Sequence, residues 1–384
     1  MKLFDSEEKC CGCTACYSIC PRSAINMERD EKGFLYPIID ESKCVNCNLC
    51  KMTCDFQNEN YIKNIDIEDN YVYAVKNKNL SERLTSRSGG VFMSFCDYVL
   101  AKEGSVYGAA FDDNLKVIHK RTDNKAGVDK FKGSKYVQSE IGNNFLSVKK
   151  DLDDGKYVLF SGTACQVAGL KSFLNRTKTN TEKLILCDLV CHGVPSPLFY
   201  EKYLEYIENK TKSKVTEFNF RDKYFGWAPH IESFKSDKKH FSNLYTDLFY
   251  KHIMFRPSCS NCKYTNFNRP SDLTIADFWG IDKAVKNFND NKGVSLLIIN
   301  TKKGNGIFEN VKDSLEYVRS NKKDCLQPNL EHPTVFSKDT EQFWKDFREK
   351  GIEYVMKKYG NLNVKSQLKF KLKVFLYKHH LRGM

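Results

Sequence analysis

Two cysteine runs with one spacing constrain this chain more than any other feature. Cys10, Cys13, Cys16 and Cys20 are separated by two, two and three residues and followed by Pro21, and Cys44, Cys47, Cys50 and Cys54 repeat that spacing. Two intervening residues let consecutive thiolates turn toward one metal centre, while the backbone N–H groups between them point at its sulfurs. A proline after the fourth cysteine sends that residue away from its own three neighbours. The pattern predicts a module with two four-iron clusters, the fourth cysteine of each run serving the other run's cluster. On that rule Cys10, Cys13, Cys16 and Cys54 hold one cluster, and Cys44, Cys47, Cys50 and Cys20 the second. Zinc has no use for a doubled run of four, and disulfides need an oxidising compartment of which the sequence gives no sign. The second run ends Cys54-Asp55 where Cys-Pro is expected.

The module ends near Gln57, so most of the 384 residues must bury a core of their own. The expected plan is a ferredoxin-type domain over 1–57, a polar linker over 58–70, a core in two parts over 71–150 and 151–335, and a basic helical tail over 336–384. Its class is α+β: a bacterial ferredoxin-like module fused to a mixed α/β core. No apolar run approaches the ~20 residues of a membrane span, and Met1 to Glu8 lacks the apolar stretch of a signal peptide. A cytoplasmic location is expected, where sixteen cysteines stay reduced for metal.

The formal charge is +13; three four-iron clusters at about −2 each would bring it to about +7. Such an excess suits an acidic redox partner, an anionic membrane surface or nucleic acid. The absence of an Arg-rich recognition helix or an aromatic RNA-binding signature argues against nucleic acid. From Lys357 onward there are eight lysines or arginines and no acidic residue, interleaved with Leu368, Phe370, Leu372, Val374, Phe375 and Leu376. That segment reads either as a helix packed on its own domain or as a peripheral membrane contact.

Along the chain, Ala24 to Ile39 reads as a hairpin turning at Asp30-Glu31-Lys32-Gly33, and Tyr71 to Val75 as the first strand of the core. Ser86-Arg87-Ser88-Gly89-Gly90 precedes an apolar helix, and Gly133-Ser134-Lys135-Tyr136 lies in a glycine-opened loop. Two later segments repeat strand, loop, helix: Tyr157 to Phe160 runs into Ser161-Gly162-Thr163-Ala164-Cys165, and Leu184 to Val190 into Cys191-His192-Gly193-Val194-Pro195-Ser196-Pro197. Cys165 and Cys191 thus sit at carboxyl ends of strands, where open α/β sheets put their ligands. With Cys259-x-x-Cys262, which precedes the strand Leu273 to Asp277, they make four cysteines available for a third cluster. Buried cysteines as small hydrophobes, with a zinc-binding or empty Cys-x-x-Cys, remain the alternative. Cys11, Cys96, Cys187 and Cys325 fit no ligand pattern.

These motifs, taken with Asp277-Phe278-Trp279-Gly280, resemble in order and spacing those of the coenzyme F420 hydrogenase/dehydrogenase beta-subunit family from about Val75 to Asn300. Ala164 stands where that family has proline. The resemblance implies a core that binds FAD without a Rossmann fingerprint, and a four-iron cluster there on Cys165, Cys191, Cys259 and Cys262. In relatives the flavin exchanges a hydride with a deazaflavin coenzyme or, in a plant relative, reduces a chlorophyll side chain, so the resemblance fixes cofactors better than substrate. Gly89, Gly90, Ser134, Lys135 and Tyr136 become the flavin-binding candidates. His192 is the candidate proton donor, or else a hydrogen-bond donor beside a cluster ligand. The expected function is an iron–sulfur flavoprotein oxidoreductase of an anaerobe, working between a ferredoxin-like partner and a small organic substrate. Its rival is an electron-transfer subunit of a larger redox complex with no substrate site of its own.

Overall fold

The two cysteine runs are built alike. Each enters a single helical turn, Ala15–Ile19 or Leu49–Thr53, through a left-handed residue, Thr14 (φ 67°) or Asn48 (φ 58°), and leaves it through an extended fourth cysteine, Cys20 or Cys54. Between them β1 (Ile25–Arg29) and β2 (Leu35–Ile39) form the expected antiparallel hairpin, with Ile25 opposite Ile39. Leu3, Ile25 and Ile39 make a small buried core against Cys16, Cys20, Cys44 and Cys50. The computed structural model describes residues 3–58 and 69–378; the linker reading falls almost wholly outside them.

Both parts of the core contribute to one sheet of eight strands: β3 (Tyr71–Asn77), β4 (Ser105–Phe111), β5 (Val117–Thr122), β6 (Val158–Thr163), β7 (Leu184–Leu189), β11 (Leu273–Asp277), β12 (Ser295–Ile299) and β13 (Leu315–Ser320). The order is β13-β3-β12-β11-β7-β6-β4-β5. The centre, β11-β7-β6-β4, is parallel and both flanks are antiparallel. A parallel centre must be covered on both faces, and the strands show it: β7 reads Leu-Ile-Leu-Cys-Asp-Leu, buried from Leu184 to Asp188. A smaller sheet of β8 (Glu217–Asn219), β9 (Glu232–Lys235) and β10 (Lys239–Ser242) packs beside helix Pro197–Thr211. Neither this sheet nor β13 shows in the sequence pattern. β13 is a mostly exposed edge strand with no alternating apolar face.

The N-terminal module is bolted to the core. Tyr17 Oη donates to Asn143 Oδ1 at 3.0 Å, Ser172 Oγ to the Thr53 carbonyl at 2.8 Å, and Arg29 pairs with Glu201 at 2.8 Å. Asp55, the departure from Cys-Pro, accepts the Tyr264 hydroxyl at 2.6 Å and pairs with Lys263 at 3.4 Å. That residue ties the end of the second run to the segment just after Cys262, a task proline could not perform. In the tail, helix Thr340–Tyr359 is broken at Gly351 and followed by helix Val364–Lys378. Tyr377 meets Phe225 at 5.6 Å, while Val364, Leu368 and Leu372 are exposed. Among the described residues no helix is long and apolar enough to cross a membrane.

Candidate functional site

Four cavities adjoin one another from the hairpin end of the module to the carboxyl ends of the parallel strands. The outermost, about 30 Å³, is lined by Cys20, Cys44, Cys47 and Cys50. Its neighbour, also about 30 Å³, is lined by Cys10, Cys13, Cys16 and Cys54 together with Cys11 and Cys50. Each run's fourth cysteine therefore faces the other run's cavity, the crossed arrangement read from the spacing. Polar hydrogens reach the sulfurs here: the Ala24 N–H donates to Cys20 Sγ at 3.3 Å and Gln57 Nε2 to Cys54 Sγ at 3.4 Å. Cys47 is the exposed member of the outer set.

The third cavity, about 40 Å³, gathers Cys165, Cys191, Cys259 and Cys262. Helix Ala164–Arg176 starts with a capping box in which the Thr163 hydroxyl and Gln166 each satisfy the other's backbone. This fixes Cys165 in the first turn without the proline found in the family. Cys191 follows β7, and Pro257–Asn261, a short 3-10 turn, presents Cys259. The Gly193 N–H donates to Cys191 Sγ at 3.3 Å and the Val194 N–H to Cys259 Sγ at 3.4 Å; Thr163 Oγ1 lies 3.2 Å from Cys165 Sγ.

Burial pushes the Cys191 thiol up to about 12 and Cys262 up to about 11, in part because each neighbours another cysteine. Such thiols ionise readily only against a cation, and a metal centre supplies one. No three of the described His, Cys, Asp or Glu side chains close on a point that would hold a single ion, whereas a cubane spreads its four thiolates farther apart. Cys11, which the sequence leaves without a role, is buried and lines both this cavity and the previous one. The neighbouring Cys13 and Cys165, together with burial, push its thiol well above the ordinary range.

The fourth cavity, about 280 Å³ and the largest of these four, shares Thr163, Cys191, Gly193 and Val194 with the third. It opens beyond β6, β7 and β11, at the strand ends where such sheets bind ligands. Four flavin-binding candidates, Gly90, Ser134, Lys135 and Tyr136, line it, as does His192. Gly90, at φ 84°, begins helix Val91–Leu100 with no side-chain cap. Gly89 does not line the cavity. A Cβ there would stand 2.2 Å from the Val75 carbonyl oxygen and 2.6 Å from the Ser295 nitrogen, so its glycine is needed for packing between β3 and β12.

Lys135 donates to the carbonyls of Lys130 at 3.0 Å and Lys132 at 2.9 Å, and burial lowers its pKa to about 7. His192 is lowered to about 4 by burial, so its ring is neutral near pH 7 and can donate only as an uncharged N–H.

Several residues here carried no sequence signal. Arg221 is almost wholly buried; burial opposes its charge, but Asp277 at 2.5 Å outweighs that and keeps it protonated. Arg87, lowered to about 10 by burial and by Arg221, donates to the Arg221 carbonyl at 3.1 Å. His119 Nε2 donates to the Ser161 carbonyl at 3.0 Å, which leaves Nδ1 an acceptor. Arg87 Nε, Arg221 Nε and His119 Nδ1 are buried with no protein partner, and all three residues line this cavity. Buried polar atoms are almost always paired, so these orphans fit a polar ligand. An isoalloxazine with its attached phosphates has both the acceptors and the donors to meet them.

Residues 155–323 match the family model for the C-terminal part of the coenzyme F420 hydrogenase/dehydrogenase beta subunit, and residues 9–58 match the 4Fe-4S dicluster domain. An uncharacterized ferredoxin of Methanocaldococcus jannaschii is 35% identical over 54 residues, which is 14% of this chain and 69% of the ferredoxin. A chain from a xenon-derivatized structure of the F420-reducing [NiFe] hydrogenase complex of Methanosarcina barkeri aligns at 17% identity with a TM-score of 0.46. The alignment covers 76% of this chain and 94% of that one.

Proposed function

We propose that this chain, whose residues 155–323 match the C-terminal part of the coenzyme F420 hydrogenase/dehydrogenase beta subunit and whose residues 9–58 match the 4Fe-4S dicluster domain, is an iron–sulfur flavoprotein oxidoreductase with three [4Fe-4S] clusters and one FAD. It would pass electrons between a ferredoxin-like partner and an organic or deazaflavin-type substrate. A flavin takes two electrons as hydride and releases them singly, whereas a four-iron cluster carries one at a time. The observation that carries the proposal is the row of adjoining cavities, each lined by a matching donor set, with Cys191 in the wall of both the third and the fourth.

On this reading Cys10, Cys13, Cys16 and Cys54 hold the inner N-terminal cluster, and Cys20, Cys44, Cys47 and Cys50 the outer one. Cys165, Cys191, Cys259 and Cys262 hold the cluster of the core. Gly90, Ser134, Lys135 and Tyr136 hold the flavin, with Arg87 and Arg221 as further donors. His192 donates a neutral hydrogen bond into the cavity. A pure electron carrier needs no substrate cavity, and the orphaned polar atoms in the fourth cavity favour the enzyme reading over that rival.

Anaerobic purification with iron and flavin quantitation tests the proposal. About twelve irons and one FAD per chain are expected for three four-iron clusters; about eight irons without flavin would overturn it.

Lys135→Met should weaken FAD binding roughly tenfold or more, since a charge-assisted hydrogen bond contributes ~1.5–3 kcal/mol. The wild type should also bind the anionic cofactor more weakly as pH rises above about 7. There the free protein loses the Lys135 proton that the complex retains, a dependence of up to about tenfold per pH unit. Fluorescence titration of the flavin-stripped protein between pH 6 and pH 9, run on both forms, checks the sign; a flat wild-type profile would remove Lys135 from the flavin site.

A further inference from the structure

Arg256 has no exposed surface and stands at the seam between the inner N-terminal cavity and the core cavity. Its Nε donates to the Cys10 carbonyl at 2.8 Å, Nη2 to the Leu35 carbonyl at 3.0 Å and Nη1 to Gln138 Oε1 at 2.9 Å. Nη2 also lies 3.8 Å from Cys10 Sγ. The guanidinium carbon is 4.1 Å from the centroid of Tyr36, and the residue lines the cavity of Cys165, Cys191, Cys259 and Cys262. The seat is tight: a Cβ on Gly12 would meet Nη1 at 2.8 Å.

Its oxygen acceptors, two carbonyls and an amide, are all neutral, and the remaining acceptor is the Cys10 sulfur. Among the described residues no carboxylate pairs with it, although the equally buried Arg221 and Arg269 have Asp277 and Asp188. A guanidinium buried without a counter-charge is among the costliest arrangements in a protein interior. The groups able to bear negative charge around Arg256 are Cys10, Tyr36, Cys11 and Cys259, and Cys10 and Cys259 belong to the donor sets of two different cavities.

We propose that Arg256 is the shared counter-charge of the inner N-terminal cluster and the core cluster, raising the reduction potential of both. The inference rests on the three-cluster reading above. Each one-electron reduction, with dithionite as the donor, adds one negative charge to a cluster, and a fixed cation in a low-dielectric seam favours the reduced form. The outer cluster, whose cysteines Arg256 does not approach, is the internal control.

The test is an anaerobic redox titration of the wild type, Arg256→Gln and Arg256→Lys, followed by electron paramagnetic resonance. Arg256→Gln should shift the reduction equilibria of the inner and core clusters tenfold or more toward the oxidised form, 59 mV per tenfold for one electron. Arg256→Lys should recover at least half of that shift, and the outer cluster should stay at its wild-type value in all three proteins. Unmoved inner and core potentials in Arg256→Gln, or Lys falling as far as Gln, would make Arg256 a packing residue and overturn the proposal. Should Gln shed iron while Lys keeps it, the need for charge is upheld in stronger form; iron lost equally from both variants overturns it. A wild-type count of about eight irons would instead remove the core cluster, and with it the reading beneath.

Discussion

Changing Cys259 and Cys262 together to serine should lower the iron content from the proposed count of about twelve to about eight per chain while the two N-terminal clusters keep their spectra. The effect is large because these two residues form one wall of the core cavity and are presented by a short turn rather than by the sheet. Loss of the cluster should therefore leave the eight strands standing. Circular dichroism should be close to that of the wild type, and iron analysis with low-temperature paramagnetic resonance reads the rest. If the double variant keeps all its iron, the core cysteines are hydrophobes and the third cluster does not exist. Cys96→Ser serves as the contrast: buried among Val91, Phe95 and Val106 and lining none of the four cavities, it should cost stability and no iron.

Gly169→Ala should release the inner N-terminal cluster. Gly169 lies in the middle of helix Ala164–Arg176, and a Cβ there would stand 2.6 Å from Cys13 Sγ and 2.8 Å from Cys13 Cβ. Alanine would otherwise stabilise the helix interior by ~0.5–1 kcal/mol relative to glycine, but overpacking of this kind costs ~1–3 kcal/mol. A sulfur held by a cluster cannot turn away, so the clash should win. Expected are about four irons fewer and a lower melting temperature. Gly306→Ala, in helix Lys302–Val311 with nothing within 4 Å of its Cβ, should be neutral or stabilising with full iron. Equal behaviour of the two variants would mean that Cys13 does not rest on this helix in the folded, loaded protein.

Much of the site was legible because cysteine spacing is a local signal with a metric meaning. The runs announced themselves, and so did Cys165 and Cys191, each placed where an apolar strand gives way to a helix. The hairpin, the first core strand and the second strand-loop-helix unit fell where apolar periodicity put them; in the first unit the expected loop is absent, because β6 runs on through Ser161 to Thr163 and helix Ala164–Arg176 follows directly. What stayed hidden depends on contacts between distant segments. Arg256 meets Cys10 and Leu35 across more than two hundred residues of chain, and nothing local distinguishes it from a surface arginine. Cys11 looked incidental because it breaks the spacing, yet its position beside Cys10 brings it to the junction of two cavities. Asp55 read as a defect in a motif until its partners Tyr264 and Lys263 came into view. Gly89 was misjudged in the opposite direction: a glycine pair before a helix suggests a ligand, but only Gly90 faces the cavity, and Gly89 is held by the strands behind it. β13 was missed because an exposed edge strand needs no apolar alternation.

Electron delivery to the proposed flavin can be measured directly by mixing the oxidised, FAD-loaded protein with a reduced low-potential ferredoxin in an anaerobic stopped-flow instrument and following the flavin absorbance. The wild type should bleach completely. The Cys259→Ser, Cys262→Ser protein, loaded with FAD and its two remaining clusters, should bleach at least a hundredfold more slowly. Equal rates in the two proteins would show that electrons reach the flavin without the core cysteines, and the conducting row of sites would be wrong.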